Sequence, residues 1–159
     1  IPQVAVNMFP CFLSRTSVHT SQSNPVSVQI LKLGESTAIE CYIESLMNKR
    51  MWYKLNTDRR LQLVAFFDTT YNRSEISDKF RQRFSVQFDN INSHLSIFRV
   101  AAEDVGTYFC GALFLNDIRF GPGTSLTLKE KIIEKYKSGD GYRRISRALN
   151  IPGQTVLTN

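Results

Sequence analysis

Two cysteines and the residues around them constrain the fold of this 159-residue chain more than any other feature. Read as a strand, the segment Asp104–Cys110 places Tyr108 and Cys110 on one face and their neighbours on the other. The segment Thr37–Ile43 gives Cys41 the same inward position. A cysteine that faces the core from one layer can bond a cysteine in the facing layer, so the pattern predicts a disulfide between Cys41 and Cys110. Two unpaired, buried thiols are the alternative interpretation.

Trp52 follows Cys41 after the length of one loop, and Tyr108 stands just before Cys110. This order of Cys, Trp and Tyr-x-Cys resembles the signature of an immunoglobulin sandwich. We therefore predict an all-β fold, an immunoglobulin V-type two-sheet Greek-key sandwich, over residues 25–128. A short, marginally helical C-terminal tail is expected to follow it.

The resemblance also assigns roles to single residues. It implies that Trp52 packs on the disulfide and that the Tyr108 hydroxyl bonds to backbone near the start of its own strand. It further implies that Arg83 and Asp104 pair at the bottom of the sandwich. Two solvated charges that contribute little are the alternative for that pair.

The rest of the chain divides into a leader and a tail. Residues 1–24 are rich in Ser and Thr near their end, which predicts a poorly ordered leader. Cys11 lies there, either as a leftover thiol or as a link to another chain. Residues 129–159 are predicted to form a basic helical or disordered tail. The sequence contains no apolar run of the ~18 residues that a membrane span needs and no convincing signal peptide, and its first residue suggests a fragment.

Most of the net charge of +6 comes from the tail, which has seven Lys and Arg but three Asp and Glu. The predicted sandwich is nearly balanced, so its charge favours no particular partner. Disulfides persist in oxidising compartments, and the expected location is therefore extracellular or at the cell surface. Any attachment to a membrane would use segments missing from this chain.

The last predicted strand carries a motif of a known receptor family. Phe120, Gly121, Gly123 and Thr124 form Phe-Gly-x-Gly-Thr, which resembles the joining-segment motif of antibody light chains and T-cell receptors. Four runs are more similar to the variable domains of the novel immune-type receptors of fish: Lys32–Ser36, Met51–Leu55, Arg60–Val64 and Asp104–Gly111. That resemblance implies a cell-surface receptor of cytotoxic lymphocytes, whose partner is a protein ligand on another cell.

Loops at one end of a rigid sandwich commonly carry recognition. The first candidate binding surface is therefore formed by three loops: Leu46, Met47, Asn48 and Lys49; Asp68, Thr69, Thr70 and Tyr71; and Leu113, Phe114, Leu115 and Asn116. The third loop has an apolar tip, which suits a binding hot spot. The alternative is a tip that folds back onto the outward face of the sheet.

The outward face of the sheet is the second candidate. Alternation directs five apolar side chains to it: Tyr53, Leu55, Leu63, Phe109 and Phe120. Because an exposed apolar patch usually marks a partner, we expect this face to meet a second variable domain in a homodimer or heterodimer.

Asn72, Arg73 and Ser74 form an N-glycosylation sequon inside Asp68–Ser77, a segment that is predicted to be a polar loop. No catalytic set is visible in the sequence. The two histidines, His19 and His94, stand apart from any nucleophile and from any Cys/His spacing typical of zinc. We therefore predict a binding protein without enzymatic activity, cofactor or metal.

Two sets of apolar residues in the tail recur at helical spacing: Ile132, Ile133 and Tyr136, then Ile145, Ala148 and Leu149. The segment Tyr142–Pro152 resembles part of the helix-turn-helix of mariner-class transposases, which implies DNA binding through a further helix. A unit of 31 residues is below the size that usually folds alone. We therefore expect one or two marginal helices, and nucleic acid is not the expected partner.

Overall fold

The computed structural model describes residues 27–42, 48–89, 92–114, 117–149 and 153. Within them the strands are β1 (Ser27–Leu31), β2 (Thr37–Tyr42), β3 (Lys49–Leu55), β4 (Leu61–Asp68), β5 (Arg73–Ile76), β6 (Phe84–Phe88), β7 (Asn92–Ile97), β8 (Gly106–Phe114), β9 (Asp117–Phe120) and β10 (Thr124–Leu128). The helices are α1 (Lys129–Lys137) and α2 (Tyr142–Leu149), and one turn of 3-10 helix covers Ala102–Asp104.

The strands form two sheets that face each other. The larger sheet has the order β1-β10-β8-β3-β4-β5. β9 pairs with the C-terminal part of β8. The smaller sheet has the order β2-β7-β6. Among the described strands β1 and β10 run parallel, and the remaining neighbours are antiparallel. This arrangement confirms the predicted all-β sandwich with a short helical region after it.

The core lies between the sheets and follows the alternation of the strands. Trp52 on β3 and Tyr108 on β8 are fully buried, and Leu95 and Leu126 pack in the same cluster. Along β2, buried and exposed side chains alternate. Full burial of a large apolar side chain contributes about 1.5–3 kcal/mol each, which makes this interior the main source of stability.

Cys41 on β2 and Cys110 on β8 form a disulfide between the two sheets, with their Cα atoms 6.1 Å apart. Trp52 is the register partner of Cys110 on the neighbouring strand. Its indole N–H donates a hydrogen bond to Ser93 Oγ on β7, in the opposite sheet. The covalent bond and the indole therefore link the sheets at one place. Because the cysteines are 69 residues apart, the bond stabilises the fold by ~4 kcal/mol in the chain-entropy model.

Tyr108 and Asp104 fix the bottom of the sandwich. The Tyr108 hydroxyl donates a hydrogen bond of 2.7 Å to the Asp104 carbonyl oxygen. The Asp104 carboxylate is buried and accepts from the backbone N–H of Ala101 at 2.8 Å. Arg83 forms a bidentate ion pair with Asp104, and its Nη2 also lies 3.0 Å from Glu103 Oε1. The hydrogen bonds to Asp104 raise the pKa of the Arg83 guanidinium. The pair is partly withdrawn from water, because the Arg83 side chain is 28% exposed and that of Asp104 is 2% exposed.

One strand lies inside the segment that was predicted to be a polar loop. β5 pairs with the end of β4, and Asp68 is opposite Arg73. It is the last strand of its sheet, and three of its four side chains are exposed. A strand with water on both faces has no apolar alternation, so its sequence resembles that of a loop.

The two helices form a helical hairpin that packs on the sandwich. Ile132 on α1 joins Ile145 and Leu149 on α2 in a buried cluster, against Val28 and Ile30 of β1. Gly139 turns the chain between the helices with φ of 87°, a conformation that glycine adopts without strain. Helices this short are marginal in isolation, as the sequence suggests, and burial on β1 supplies the missing stabilisation.

Candidate functional site

Three strand ends meet at one end of the larger sheet. Lys49, at the start of β3, pairs with Asp68 on β4 and with Leu113 on β8. The Thr69 backbone N–H donates a hydrogen bond of 2.8 Å to the Asn48 carbonyl oxygen, and its hydroxyl donates to the same oxygen at 3.2 Å. The first two predicted loops are thus held side by side on rigid strands.

We call this surface the loop end and define it by Asn48, Lys49, Thr69, Thr70, Tyr71 and Leu113. The side chains of Asn48, Lys49 and the Thr69–Tyr71 turn are exposed, and Tyr71 has 78% of its surface in contact with solvent. Leu113 is half-buried. Together they present hydroxyls, an amide, an ammonium group and one aromatic ring.

Asp68 belonged to the predicted second loop but is buried at the end of β4. Its Oδ1 accepts a hydrogen bond of 2.9 Å from the Thr70 backbone N–H. This contact shapes the turn that presents Tyr71. Asp68 therefore positions the loop end, and we do not include it in the contact surface.

The third loop is the tip of the hairpin between β8 and β9, where Leu113 pairs with Ile118 and Phe114 with Asp117. Leu115 and Asn116 lie outside the described residues, as do Leu46 and Met47 of the first loop and the side chain of Phe114. The alternative prediction, a tip that folds back onto the sheet, concerns the same residues and so also lies outside the described part of the chain.

Asn72 follows Tyr71 directly and is exposed. Its φ of 47° lies in the left-handed region, which asparagine adopts more readily than most residues. The sequon is therefore at the surface beside the loop end. Occupancy by a glycan stays a prediction.

The outer face is the face of the larger sheet that points away from the smaller sheet. An aromatic group lies on it, in which the Phe120 ring is 5.7 Å from the Tyr53 ring and 6.5 Å from the Phe109 ring. Phe120 and Leu63 expose 51% and 42% of their surfaces. The five residues predicted for this face therefore lie together. Leu55, two residues after Tyr53 on β3, is half-buried.

Leu61 also belongs to this exposed region, with 43% of its surface accessible, and it pairs with Leu55. The sequence interpretation missed it, although Leu61 and Leu63 alternate around Gln62 and so share a face. We call the group formed by Tyr53, Leu61, Leu63, Phe109 and Phe120 the open patch.

Gly123 explains one glycine of the Phe-Gly-x-Gly-Thr motif. A Cβ atom at this position would overlap the Phe109 ring. Because Gly123 has no side chain, the Phe109 ring can lie against the start of β10 and beside the Phe120 ring. The motif therefore shapes the outer face, because it lets two strands and an aromatic ring approach closely.

Within the described part of the chain, neither helix has the length and apolar character needed to cross a lipid bilayer. The same residues bring no three His, Cys, Asp or Glu side chains close enough together to hold a metal ion.

Residues 11–129 match the immunoglobulin V-set domain family. The chain is also similar to a solved structure, a selenomethionine-labelled, point-substituted extracellular fragment of novel immune-type receptor 10. The two share 26% sequence identity with a TM-score of 0.57, and the match covers 67% of this chain and 98% of that one. These similarities confirm the resemblance predicted from the sequence for the sandwich. The family match ends where α1 begins, and the transposase resemblance of the tail stays a prediction.

Proposed function

Because this chain belongs to the immunoglobulin V-set family, we propose that it is an extracellular, immune-receptor-type recognition domain that binds a protein ligand on another cell. The proposed contact surface is the loop end. The observation that carries this proposal is the meeting of three strand ends, which together present exposed side chains on a rigid, disulfide-linked scaffold.

The chemistry of the loop end suits a protein surface. Tyr71 supplies a large amphipathic ring with few rotatable bonds, which is typical of the anchor residues of recognition loops. Lys49 adds a positive charge at the rim, where charges steer encounter more than they add affinity. The backbone bonds of Thr69 and Asp68 hold the turn before binding, so little conformational entropy is lost on contact.

We propose binding without catalysis. The Asp68 carboxylate, which supports the loop end, is already engaged by the Thr70 backbone N–H. The exposed hydroxyls of Thr69 and Thr70 have no described histidine beside them to activate a nucleophile. A polar rim around one aromatic ring is the composition of an interface.

The test uses the full chain, secreted from animal cells and presented as a fluorescent tetramer to a panel of cell types. Tyr71→Ala is expected to reduce staining of responsive cells at least about tenfold, the loss of a single interface anchor. Tyr136→Ala is the matched control. Tyr136 is 69% exposed, but it lies on α1, which follows the end of β10 and is not part of the loop end. Equal staining by both variants would remove the loop end as the contact surface.

The exposed open patch favours a second candidate, pairing with another variable domain through the outer face. Three of its side chains expose more than two fifths of their surface: Leu61, Leu63 and Phe120. Sedimentation at rising concentration should show a dimer that Leu63→Asp weakens. Tyr42→Asp is the control, since Tyr42 is 55% exposed on β2, which belongs to the smaller sheet. A protein that stays monomeric at every concentration contradicts this candidate.

A further inference from the structure

The helical hairpin covers one side of the outer face. Val28 and Ile30 point outward from β1, because Gln29 between them turns inward and donates a hydrogen bond of 3.1 Å to the Ala38 carbonyl oxygen on β2. The buried cluster of Ile132, Ile145 and Leu149 packs against Val28 and Ile30. The apolar face of β1 is therefore partly buried by a segment that begins about a hundred residues later in the chain.

Two polar residues of β10 lie beside them. Ser125 is the register partner of Val28, and Thr127 is the register partner of Ile30. Adjacent residues in register lie on the same face, so Ser125 and Thr127 also point outward. Both are nevertheless buried, at 1% and 0% exposure. We call Val28, Ile30, Ser125 and Thr127 the β1–β10 strip.

The strip is continuous with the open patch. Ser125 pairs with Thr107 on β8, Thr107 with Leu55 on β3, and Leu55 with Leu61 on β4. One row of side chains thus crosses five strands from Val28 to Leu61. The helical hairpin packs against Val28 at one end of this row, Ser125 and Thr107 are buried next to it, and Leu61 at the other end is exposed.

The hairpin is attached closely but held by few side chains. α1 begins at Lys129, directly after β10 ends, and Glu130 Oε1 accepts a hydrogen bond of 3.4 Å from the Leu33 backbone N–H. Its helices have nine and eight residues, fewer than the ~12 that an isolated helix needs in water. Its docked state therefore depends on the contacts of Ile132, Ile145 and Leu149 with the sheet.

We propose that the β1–β10 strip is an interaction surface which the helical hairpin occupies in the free protein, and which a second copy of this chain contacts once the hairpin is released. The docked hairpin limits the accessible part of the outer face to the open patch. Release extends it to the whole row, toward the ~800 Å² per partner that a stable interface buries. This inference rests on the pairing role proposed above for the outer face.

The first measurement reports whether the hairpin covers the strip. Thr127→Cys is introduced into the full chain together with Cys11→Ser, so that a maleimide reagent without reductant meets one free thiol. Ile145→Asp in α2 should release the hairpin and accelerate labelling at residue 127 at least about tenfold. Ala148→Asp is the matched control, because Ala148 is exposed on the same helix, and its labelling should equal that of the parent.

The second measurement identifies the partner. In sedimentation without the Thr127→Cys change, Ile145→Asp should dimerise at least about tenfold more tightly than the parent and the Ala148→Asp control. Adding Leu63→Asp to Ile145→Asp should reverse the gain. If Ile145→Asp loses its near-ultraviolet circular dichroism, the milder Leu149→Ala variant replaces it in both measurements.

Rapid labelling at residue 127 with the hairpin intact would overturn the covering role. Accelerated labelling without dimerisation would overturn the assignment of a second copy as the partner. A dimer that forms on release but ignores Leu63→Asp would instead contradict the pairing role of the open patch, and leave the strip as the contact by itself.

Discussion

Tyr108 is the residue through which the core holds the bottom of the sandwich. Its ring is fully buried between the sheets, and its hydroxyl donates to the Asp104 carbonyl oxygen at 2.7 Å. Burial raises the pKa of the phenol well above its usual range. The folded state therefore keeps Tyr108 neutral in alkaline solution, where the unfolded chain loses the proton.

The sign of the pH effect follows from this difference. A group whose folded pKa is raised contributes stability that is complete below its unfolded pKa, about 10 for tyrosine, and is lost as the pH rises above it. Burial lowers the pKa of the Lys54 ammonium group, which adds some stability as the pH approaches 10.5. Lys54 is present in both proteins of the comparison below, so its contribution cancels.

We predict that Tyr108→Phe reduces the free energy of unfolding at pH 7 by about 1–2 kcal/mol, because a buried hydrogen bond to Asp104 is lost. Between pH 9 and pH 10.5 the variant should lose less stability than the parent. Urea titrations at pH 7, 9 and 10.5 would measure both effects, with Cys11→Ser in each protein to prevent thiol exchange. Parallel pH profiles for the two proteins would contradict the buried, neutral phenol.

Residues with distinctive chemistry were the predictable ones. Cys41, Cys110 and Trp52 have few alternatives in a core, so their order specified how the two sheets meet. Asp68 and Leu61 were harder to predict. An aspartate after a strand suits a surface loop and a turn equally well. Its burial depends on the Thr70 backbone N–H, a contact set by the shape of the turn rather than by residue type.

At the scale of elements, the helical hairpin shows what periodicity leaves open. The spacing of Ile132 and Ile145 predicted helices, but the surface that they cover lies on β1, far earlier in the chain. Alternation in β1 shows that Val28 and Ile30 share a face, without showing that this face points outward. Gln29 decides the direction by its bond to Ala38, and no local pattern reports that contact.

The adjacent isoleucines of α1 provide a test of the docked hairpin. Ile132 is 3% exposed and Ile133 is 39% exposed. We predict that Ile132→Ala lowers the free energy of unfolding by about 2–4 kcal/mol, since it leaves a cavity under the helix. Ile133→Ala should change it by less than about 0.5 kcal/mol. Denaturant titration would measure both, and equal effects would show that α1 does not dock through Ile132.

At the scale of the whole molecule, the fold, the family match and the charge distribution all distinguish the sandwich from the tail. The V-set match and the similarity to the receptor fragment cover the sandwich, while most of the net charge lies after it. The proposed binding depends on a scaffold that stays rigid in the proposed extracellular location. The Cys41–Cys110 bond provides that rigidity and requires an oxidising compartment to form.

Peptide mapping under non-reducing conditions, on full chain exported from animal cells, tests this central claim most directly. We predict one linked peptide pair that contains Cys41 and Cys110 and that separates on reduction. Folded, exported protein in which both of these cysteines react with a thiol reagent would contradict the account.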